Sequence, residues 1–203
     1  GNFIIDSEFG ELASGLSGFG RLSEPKKIID HIIKTLSYDL PLSGTVSLVT
    51  AGPTRESIDS VRYLSNRSTG LMGLSIAKEL ARNGSEVNLI LGPSSYKINY
   101  PNVNLIPVES CDEMYIEANK FFSKSDICIF SAAVSDYKIS NKFSRKIKKS
   151  DFISLELEKN IDIAKELCKN KKEEQFCVGF ALEDDNNIKN AQKKLKEKNF
   201  NFI

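Results

Sequence analysis

From Thr45 onward the chain alternates short, almost wholly apolar runs with stretches whose apolar residues return every three or four positions. TVSLVT, EVNLILG, NLIPV, DICIFSAA, QFCVGFA and NFI read as strands, several of them too continuously apolar for burial on one face only. Between them GLMGLSIAKELARNG, SCDEMYIEANKFFSK, NIDIAKELCKN and NNIKNAQKKLKEK carry the helical period. Asn83-Gly84 closes the first of these as a helix C-cap. This alternation predicts an α/β fold built on a mostly parallel sheet with helices on both faces. Sheets of that kind bind ligands beyond the carboxyl ends of their strands.

The arrangement is Rossmann-like, and residues 1–44 stand outside its rhythm. GELASGLSGFGRLSEP is rich in glycine and serine with no period; EPKKIIDHIIKTL then reads as one helix, and LPLSG as a linker. We expect residues 1–44 to be a tail from a preceding domain plus linker, and 45–203 to be the α/β domain. Starting at Gly1 without a methionine and stopping at NFNFI, the chain reads as a piece of something longer.

Composition narrows the chemistry. Lys+Arg 28 against Asp+Glu 27 leaves a formal charge of +1, which gives no global field for nucleic acid or an anionic membrane. No apolar run reaches the length of a membrane span. The lone histidine, His31, sits in a periodic apolar stretch and reads as a helix-surface residue. That reading argues against a Ser-His-Asp triad and a His-based proton shuttle, and one histidine argues against a multi-histidine zinc site. Cys111, Cys128, Cys168 and Cys177 form no C-x-x-C pair; they read as reduced, apolar-filling thiols of a cytoplasmic protein.

The loops are more specific. VTAGPTRE ends a buried strand in a sharp turn where Gly52 permits close approach of a ligand. It lacks G-x-G-x-x-G, and no acidic residue ends EVNLILG to hold a ribose, so a purely structural strand-helix turn remains open. YLSNRSTGLMG, between a hydrophobic strand and a helix, offers free N–H groups, hydroxyls and a helix dipole to an anion. Ordinary N-capping needs one Ser or Thr and leaves the Asn66-Arg67 pair and both glycines unexplained. FSAAVSDYK places two alanines and Asp136 after a strand, with room for a flat group. The polar segment ISNKFSRKIKKS then carries Arg145, Lys146, Lys148 and Lys149, which suits a lid delivering lysine to a polyphosphate or a plain surface loop.

In their order, VTAGPTRE, RYLSNRSTGLMG, SAAVSDY, KIKKS, KNIDI, VGFALE and AQKKLKEK resemble phosphopantothenoylcysteine synthetase, the ligase half of the bacterial bifunctional coenzyme A biosynthesis family. The resemblance spans roughly residues 43–203, and GELASGLSGFGRLSEP resembles the last segment of the flavin-dependent decarboxylase half. It implies a two-step ligation. The carboxylate of 4′-phosphopantothenate attacks the α-phosphorus of CTP, giving an acyl-cytidylate and pyrophosphate; the amine of L-cysteine then displaces CMP. A carboxylate needs no histidine base, whereas the separating phosphates need cations and N–H donors.

Carried residue by residue, the resemblance implies that Asn66 assists conversion of the acyl-cytidylate and that Lys146 is the lid lysine stabilising the triphosphate. It implies that Ser68, Gly70 and Gly73, with Gly52, line the phosphate loop, and that Ser131 and Ala132 border the base. Asp136 would stand near the nucleotide or its Mg²⁺. Ile161, Asp162, Ile163 and Ala164 would form another wall, Phe180 would pack on the nucleotide, and Lys194 and Lys198 would reach it from the last helix. No protein metal centre is implied. FMN belongs to the decarboxylase half, a homodimer is expected, and the parent protein would also decarboxylate its product. The sequence departs from the family pattern in three ways: Ser14 replaces the usual cysteine of L-A-C-G, Ile161 replaces the proline of K-N-P-D-I, and the chain ends at Ile203 where the family continues. The rival readings are a nicotinamide-dependent oxidoreductase on the same fold and a catalytically silent nucleotide-binding fragment.

Overall fold

The computed structural model describes residues 2–36, 40–148, 154–182 and 185–203. Lys149 and Glu183, part of the KIKKS and VGFALE motifs, lie outside the described residues. The elements are β1 (Glu8–Glu11), β2 (Ser17–Arg21), α1 (Pro25–Leu36), β3 (Val46–Ala51), β4 (Arg55–Ser57), β5 (Tyr63–Ser65), α2 (Leu71–Arg82), β6 (Glu86–Leu91), β7 (Val103–Pro107), α3 (Cys111–Phe122), β8 (Ile127–Phe130), β9 (Tyr137–Ile139), β10 (Leu157–Lys159), α4 (Ile163–Cys168), β11 (Phe176–Gly179) and α5 (Asn187–Glu197).

The expected sheet is present: five parallel strands in the order β11-β8-β3-β6-β7. Its continuously apolar strands split their residues between two faces. Val49 and Ala51 of β3, with Val87, Leu89 and Leu91 of β6, pack on Leu74, Ala77 and Ala81 of α2. The alternate residues Leu48 and Ile90, with Cys128 and Cys177, face Met114, Ala118 and Phe122 of α3 and Leu167 and Cys168 of α4. Leu48, Leu89 and Ile90 are wholly buried. Removing each such side chain from water contributes about 1.5–3 kcal/mol, which is why both faces must be covered at once.

Helix ends follow from local chemistry. Ser110 caps α3 by accepting from Glu113 N at 3.3 Å, and Asp162 caps α4 by accepting from Lys165 N at 3.1 Å. Asn83 ends α2, and Gly84 continues at φ 100°. NFI departs from expectation, since Phe202 forms a single parallel bridge with Val178 rather than a strand. The turn YLSNRSTG likewise follows a two-stranded hairpin, β4 with β5, and not a strand of the main sheet.

In the N-terminal segment the glycine-rich stretch forms a hairpin, β1 with β2, closed by an edge-to-face contact of Phe9 and Phe19 at 5.4 Å. Gly18 and Gly20 alternate through β2, and β1 offers only Phe9 between charged residues and Gly10, so the sequence carries no period-2 apolar signal there. The helix expected over EPKKIIDHIIKTL is α1, with none of its residues buried. His31 is half-buried and shares a groove with Phe3, Ile5 and Ile32.

Candidate functional site

β3 and β8 are neighbours, but the chain leaves them in opposite directions: β3 leads toward β6 and β7, and β8 toward β11. Their carboxyl ends therefore form the topological switch point where such sheets bind ligands. The two loops leaving it are zipped together. Ser131 N and Oγ both donate to Thr50 O, at 3.0 and 2.7 Å. Ala133 N donates to Gly52 O at 2.8 Å, and Ser135 N donates to Thr54 Oγ1 at 3.0 Å. Gly52 has φ 78°, a left-handed backbone that glycine adopts without strain.

The turn after β5 is laid over this zipper. Ser65 Oγ donates to Thr54 O at 2.7 Å, and Asn66 Nδ2 donates to Val134 O at 2.8 Å. Gly70, also at φ 78°, stands before the first turn of α2, and a Cβ on it would lie 3.3 Å from the Gly52 Cα. Gly73 in that turn is tighter still: a Cβ there would meet Ala51 Cβ at 2.3 Å and Ser131 Oγ at 2.5 Å. These approaches bring the N-terminus of α2 down onto the end of β3. Gly70 at the N-cap has no side chain to cap α2, and the Gly70 and Leu71 amides donate to Ser68 Oγ and Thr69 Oγ1, each at 3.3 Å. The helix dipole and the next amides of its first turn therefore face a shallow cleft of about 480 Å³ lined by Arg67, Ser68, Gly70, Gly73 and Ser131. Amides, a hydroxyl and one guanidinium at a helix N-terminus are chemically suited to an anion.

A second cleft, of about 220 Å³, opens on the other side of the 131–136 loop. Ala132, Asp136, Ile161, Asp162, Ile163, Ala164, Phe180 and Lys198, to which the resemblance assigns nucleotide contacts, all line it. Thr50, Ser135 and Asn160 line it too, and sequence reading had not assigned them. Asn160 ties its walls together: its N–H donates to Asp136 O at 2.9 Å and its Nδ2 to Ser135 O at 2.8 Å. Asn160 was legible only as part of the KNIDI motif, where nothing marks it as a staple. Lys198 Nζ lies 2.9 Å from Asp162 Oδ2, so the cation at the cleft edge is paired. Alanine and isoleucine walls, an aromatic ring and a few fixed polar groups suit a flat polar heterocycle.

Asn66 sits where the loops cross, held to Val134, and borders neither cleft directly. Lys194 is half-buried on α5, one turn before Lys198, and does not line the cleft. Lys146 is exposed, and the structure does not bring it to either cleft. Its segment is fastened instead to the turn between β4 and β5: Phe143 N donates to Ile58 O at 3.0 Å and Ile147 N to Asp59 Oδ2 at 3.1 Å. Burial alone would raise the Asp59 carboxyl. The hydrogen bonds from the Ile147, Arg62 and Val61 amides and from the Arg62 side chain outweigh it, and hold the group well below the usual carboxylate range.

Burial pushes the Cys111 thiol up to about 12, with the Glu56 carboxylate adding to the shift. Cys128 and Cys168 are raised as well, by hydrogen bonding to Cys177 and by burial. Among the described residues no group of three or more His, Cys, Asp or Glu is placed to hold a metal. None of the described helices is long and apolar enough to cross a membrane.

A five-stranded parallel sheet with helices on both faces and a switch-point cleft beside a helix N-terminus defines a Rossmann-like α/β domain. Residues 42–203 match the family model described as the DNA/pantothenate metabolism flavoprotein C-terminal domain, and the chain belongs to that family. It is 42% identical over 204 residues to the coenzyme A biosynthesis bifunctional protein CoaBC of Bacillus subtilis (strain 168), covering 99% of this chain and 50% of that protein. It is also 43% identical over 208 residues to a cysteine/cysteine sulfinic acid decarboxylase of an unknown prokaryotic organism, covering 100% of this chain and 58% of that one. The chain thus spans about half the length of the curated relatives it matches. Among solved structures, the C-terminal domain of a CoaBC bifunctional protein superposes with a TM-score of 0.69 at 39% identity, covering 79% of this chain and 76% of that one.

Proposed function

We propose that this chain carries the phosphopantothenate–cysteine ligase activity of coenzyme A biosynthesis. The observation that carries the reading is that RYLSNRSTGLMG, SAAVSDY, KNIDI and VGFALE, but not KIKKS, contribute residues to two clefts at one switch point. Ser131 lines one cleft with the 67–73 turn, and residues 132–136 of the same loop line the other with Ile161 and Phe180. In this reading the small cleft takes the cytosine and ribose of CTP, and the α2 N-terminus with Ser68, Gly70 and Gly73 takes phosphate. 4′-Phosphopantothenate presents its carboxylate across the loop that Asn66 spans. The carboxylate forms a bond to the α-phosphorus as the bond to pyrophosphate breaks; the L-cysteine amine then attacks the acyl carbon and expels CMP. Asn66 Nδ2 already donates to a carbonyl oxygen here, and the same N–H can turn to the acyl oxygen as charge develops on it.

Mg²⁺ fits the donor set in one form only. Asp136 is an exposed carboxylate at the cleft, and Mg²⁺ is commonly held by one or two carboxylates together with substrate phosphates. When bound it would neutralise phosphate charge. Lys146, carried by an exposed segment outside both clefts, would have to swing in to reach the triphosphate. Residues 1–44 are, in this reading, the tail of a flavin-dependent decarboxylase domain plus linker, and 45–203 the synthetase domain, active as a homodimer in the cytoplasm. The described residues 2–36 form a hairpin and a helix with none of its residues buried and do not themselves enclose an FMN.

Pyrophosphate release tests the reading, with CTP, ATP, phosphopantothenate and cysteine varied in turn. It should require a nucleoside triphosphate and phosphopantothenate but not cysteine, and should be faster with CTP. A thermal shift with NADPH but not with CTP and Mg²⁺ would instead support the oxidoreductase reading; CTP binding without pyrophosphate release would support the silent fragment. Identity to a decarboxylase runs through the N-terminal segment as well, so the whole protein's decarboxylation chemistry is a second reading, tested by CO₂ release.

A further inference from the structure

We infer that Asp59 and Arg62 are positioning residues that clamp the lysine-bearing segment to the hairpin leading into Asn66; the inference rests on the ligase reading only where it assigns work to Lys146. The Asp59 side chain is wholly buried although it lies in a surface turn. Its Oδ1 accepts from Val61 N at 2.8 Å and Arg62 N at 2.9 Å, which is enough to close the turn. Oδ2 does something further: it accepts from Arg62 Nε at 3.0 Å and from Ile147 N at 3.1 Å. Arg62 Nη2 lies 2.7 Å from the same Oδ2 and donates to Ile147 O at 2.8 Å.

The peptide units of Ile147 are therefore gripped at both N–H and C=O by a charged pair three positions apart, a side-chain counterpart of one β-bridge. Phe143 N, donating to Ile58 O, supplies a second anchor on the same turn. Lys146 and Lys148 flank the gripped residue, so the clamp fixes the base from which both side chains reach while leaving the side chains themselves in solvent. From Arg62 the chain runs straight through β5 to Asn66. The clamp thus joins the two residues to which the ligase reading gives separate half-reactions, and it removes ordering entropy that the lysine segment would otherwise lose on meeting a ligand. Neither arginine bond to Ile147 nor Asp59 burial is needed for the turn itself, which is why the arrangement points beyond structure.

The test uses Arg62→Gln in the full-length protein. Asp59 keeps its own-turn amides there, so the hairpin should fold. Amide hydrogen exchange should speed up at Ile147 on the order of tenfold or more, as expected for loss of one charge-assisted hydrogen bond, with Val61 and Arg62 unchanged. Arg62→Lys should not rescue it, since one ammonium cannot match the planar fork that reaches both Asp59 and Ile147 O. Pyrophosphate release should fall by roughly the same factor in Arg62→Gln, and the double variant with Lys146→Gln should be no slower than Lys146→Gln alone. Unchanged exchange at Ile147 overturns the clamp; multiplicative losses in the double variant overturn its action through Lys146. Should the unmodified protein release no pyrophosphate with any nucleotide, the ligase reading fails, while the exchange measurement still decides the clamp.

Discussion

Gly73→Ala adds one methyl group where the structure has least room for it. The new Cβ would stand 2.3 Å from Ala51 Cβ and 2.5 Å from Ser131 Oγ, against the roughly 3.5–4.0 Å of a comfortable carbon contact. Ser131 can rotate, at the loss of its bond to Thr50 O, but Ala51 belongs to the central strand and is wholly buried. The first turn of α2 must then lift by about an ångström or more. Overpacking of this kind costs about 3 kcal/mol at the upper end of its range. Alanine returns about 1 kcal/mol through its better helix propensity, leaving a net loss near 2 kcal/mol. For a chain of this size that lowers Tm by roughly 4–8 °C. The assay is thermal unfolding followed by circular dichroism, with exposed Ser75→Ala in the same helix as a control expected to stay within about 0.5 kcal/mol. The lifted turn should also weaken nucleoside triphosphate binding, read as a smaller stabilisation by CTP. A Gly73→Ala protein that melts at or above the parent temperature would refute the close-packing argument.

Asn66→Asp removes the Nδ2 donor and should let acyl-cytidylate accumulate while pyrophosphate release continues; loss of both would remove Asn66 from the second step. Lys146→Gln should suppress pyrophosphate formation itself, measured in a single turnover, and unchanged turnover would take Lys146 out of the site. Because the four cysteines are buried to 1% exposure or less, iodoacetamide at pH 8 should label none in the native protein and all in denaturant, read by mass spectrometry. The Asp59 carboxyl is depressed in the folded protein, so its contribution is complete above the unfolded carboxyl value of about 3.9 and is lost only as pH falls through the lower folded value. Protection of the Ile147 amide, corrected for intrinsic exchange, should thus be the same at pH 4.5 as at pH 7.

What the sequence made legible is what period and buried runs can encode. TVSLVT and EVNLILG could be nothing but two-faced strands, and the helices between them follow from apolar spacing. The hairpin at residues 8–21 escaped because β2 alternates Gly18 and Gly20 around one phenylalanine and β1 sets Phe9 and Gly10 between glutamates, which leaves no apolar alternation to read. NFI failed as a strand because Phe202 meets its neighbour for one bridge only. Within the site, wall residues such as Ala132, Asp162 and Phe180 were found through their motifs. Asn160 and the Asp59–Arg62 pair were not, since their partners are main-chain atoms far along the chain: Ser135 O and the Ile147 peptide. Hydrogen bonds to a distant backbone leave no local pattern in a sequence.

That same dependence on main-chain partners explains why the motifs can stand so far apart and still act together. The 131–136 loop is held from below by Thr50, Gly52 and Thr54, from above by Asn66, and from the side by Asn160. Each contact runs to a peptide group or a small hydroxyl, so each fixes a position without filling space. The loop can therefore contribute to two clefts at once, Ser131 to the one beside the α2 N-terminus and residues 132–136 to the one lined by Asn160, Asp162 and Phe180. Room is tightest at the glycines that pack against these loops: a Cβ on Gly52 would meet Gly92 O at 3.0 Å, and one on Gly73 would meet Ser131 Oγ at 2.5 Å, so the close approach of the loops depends on glycine there.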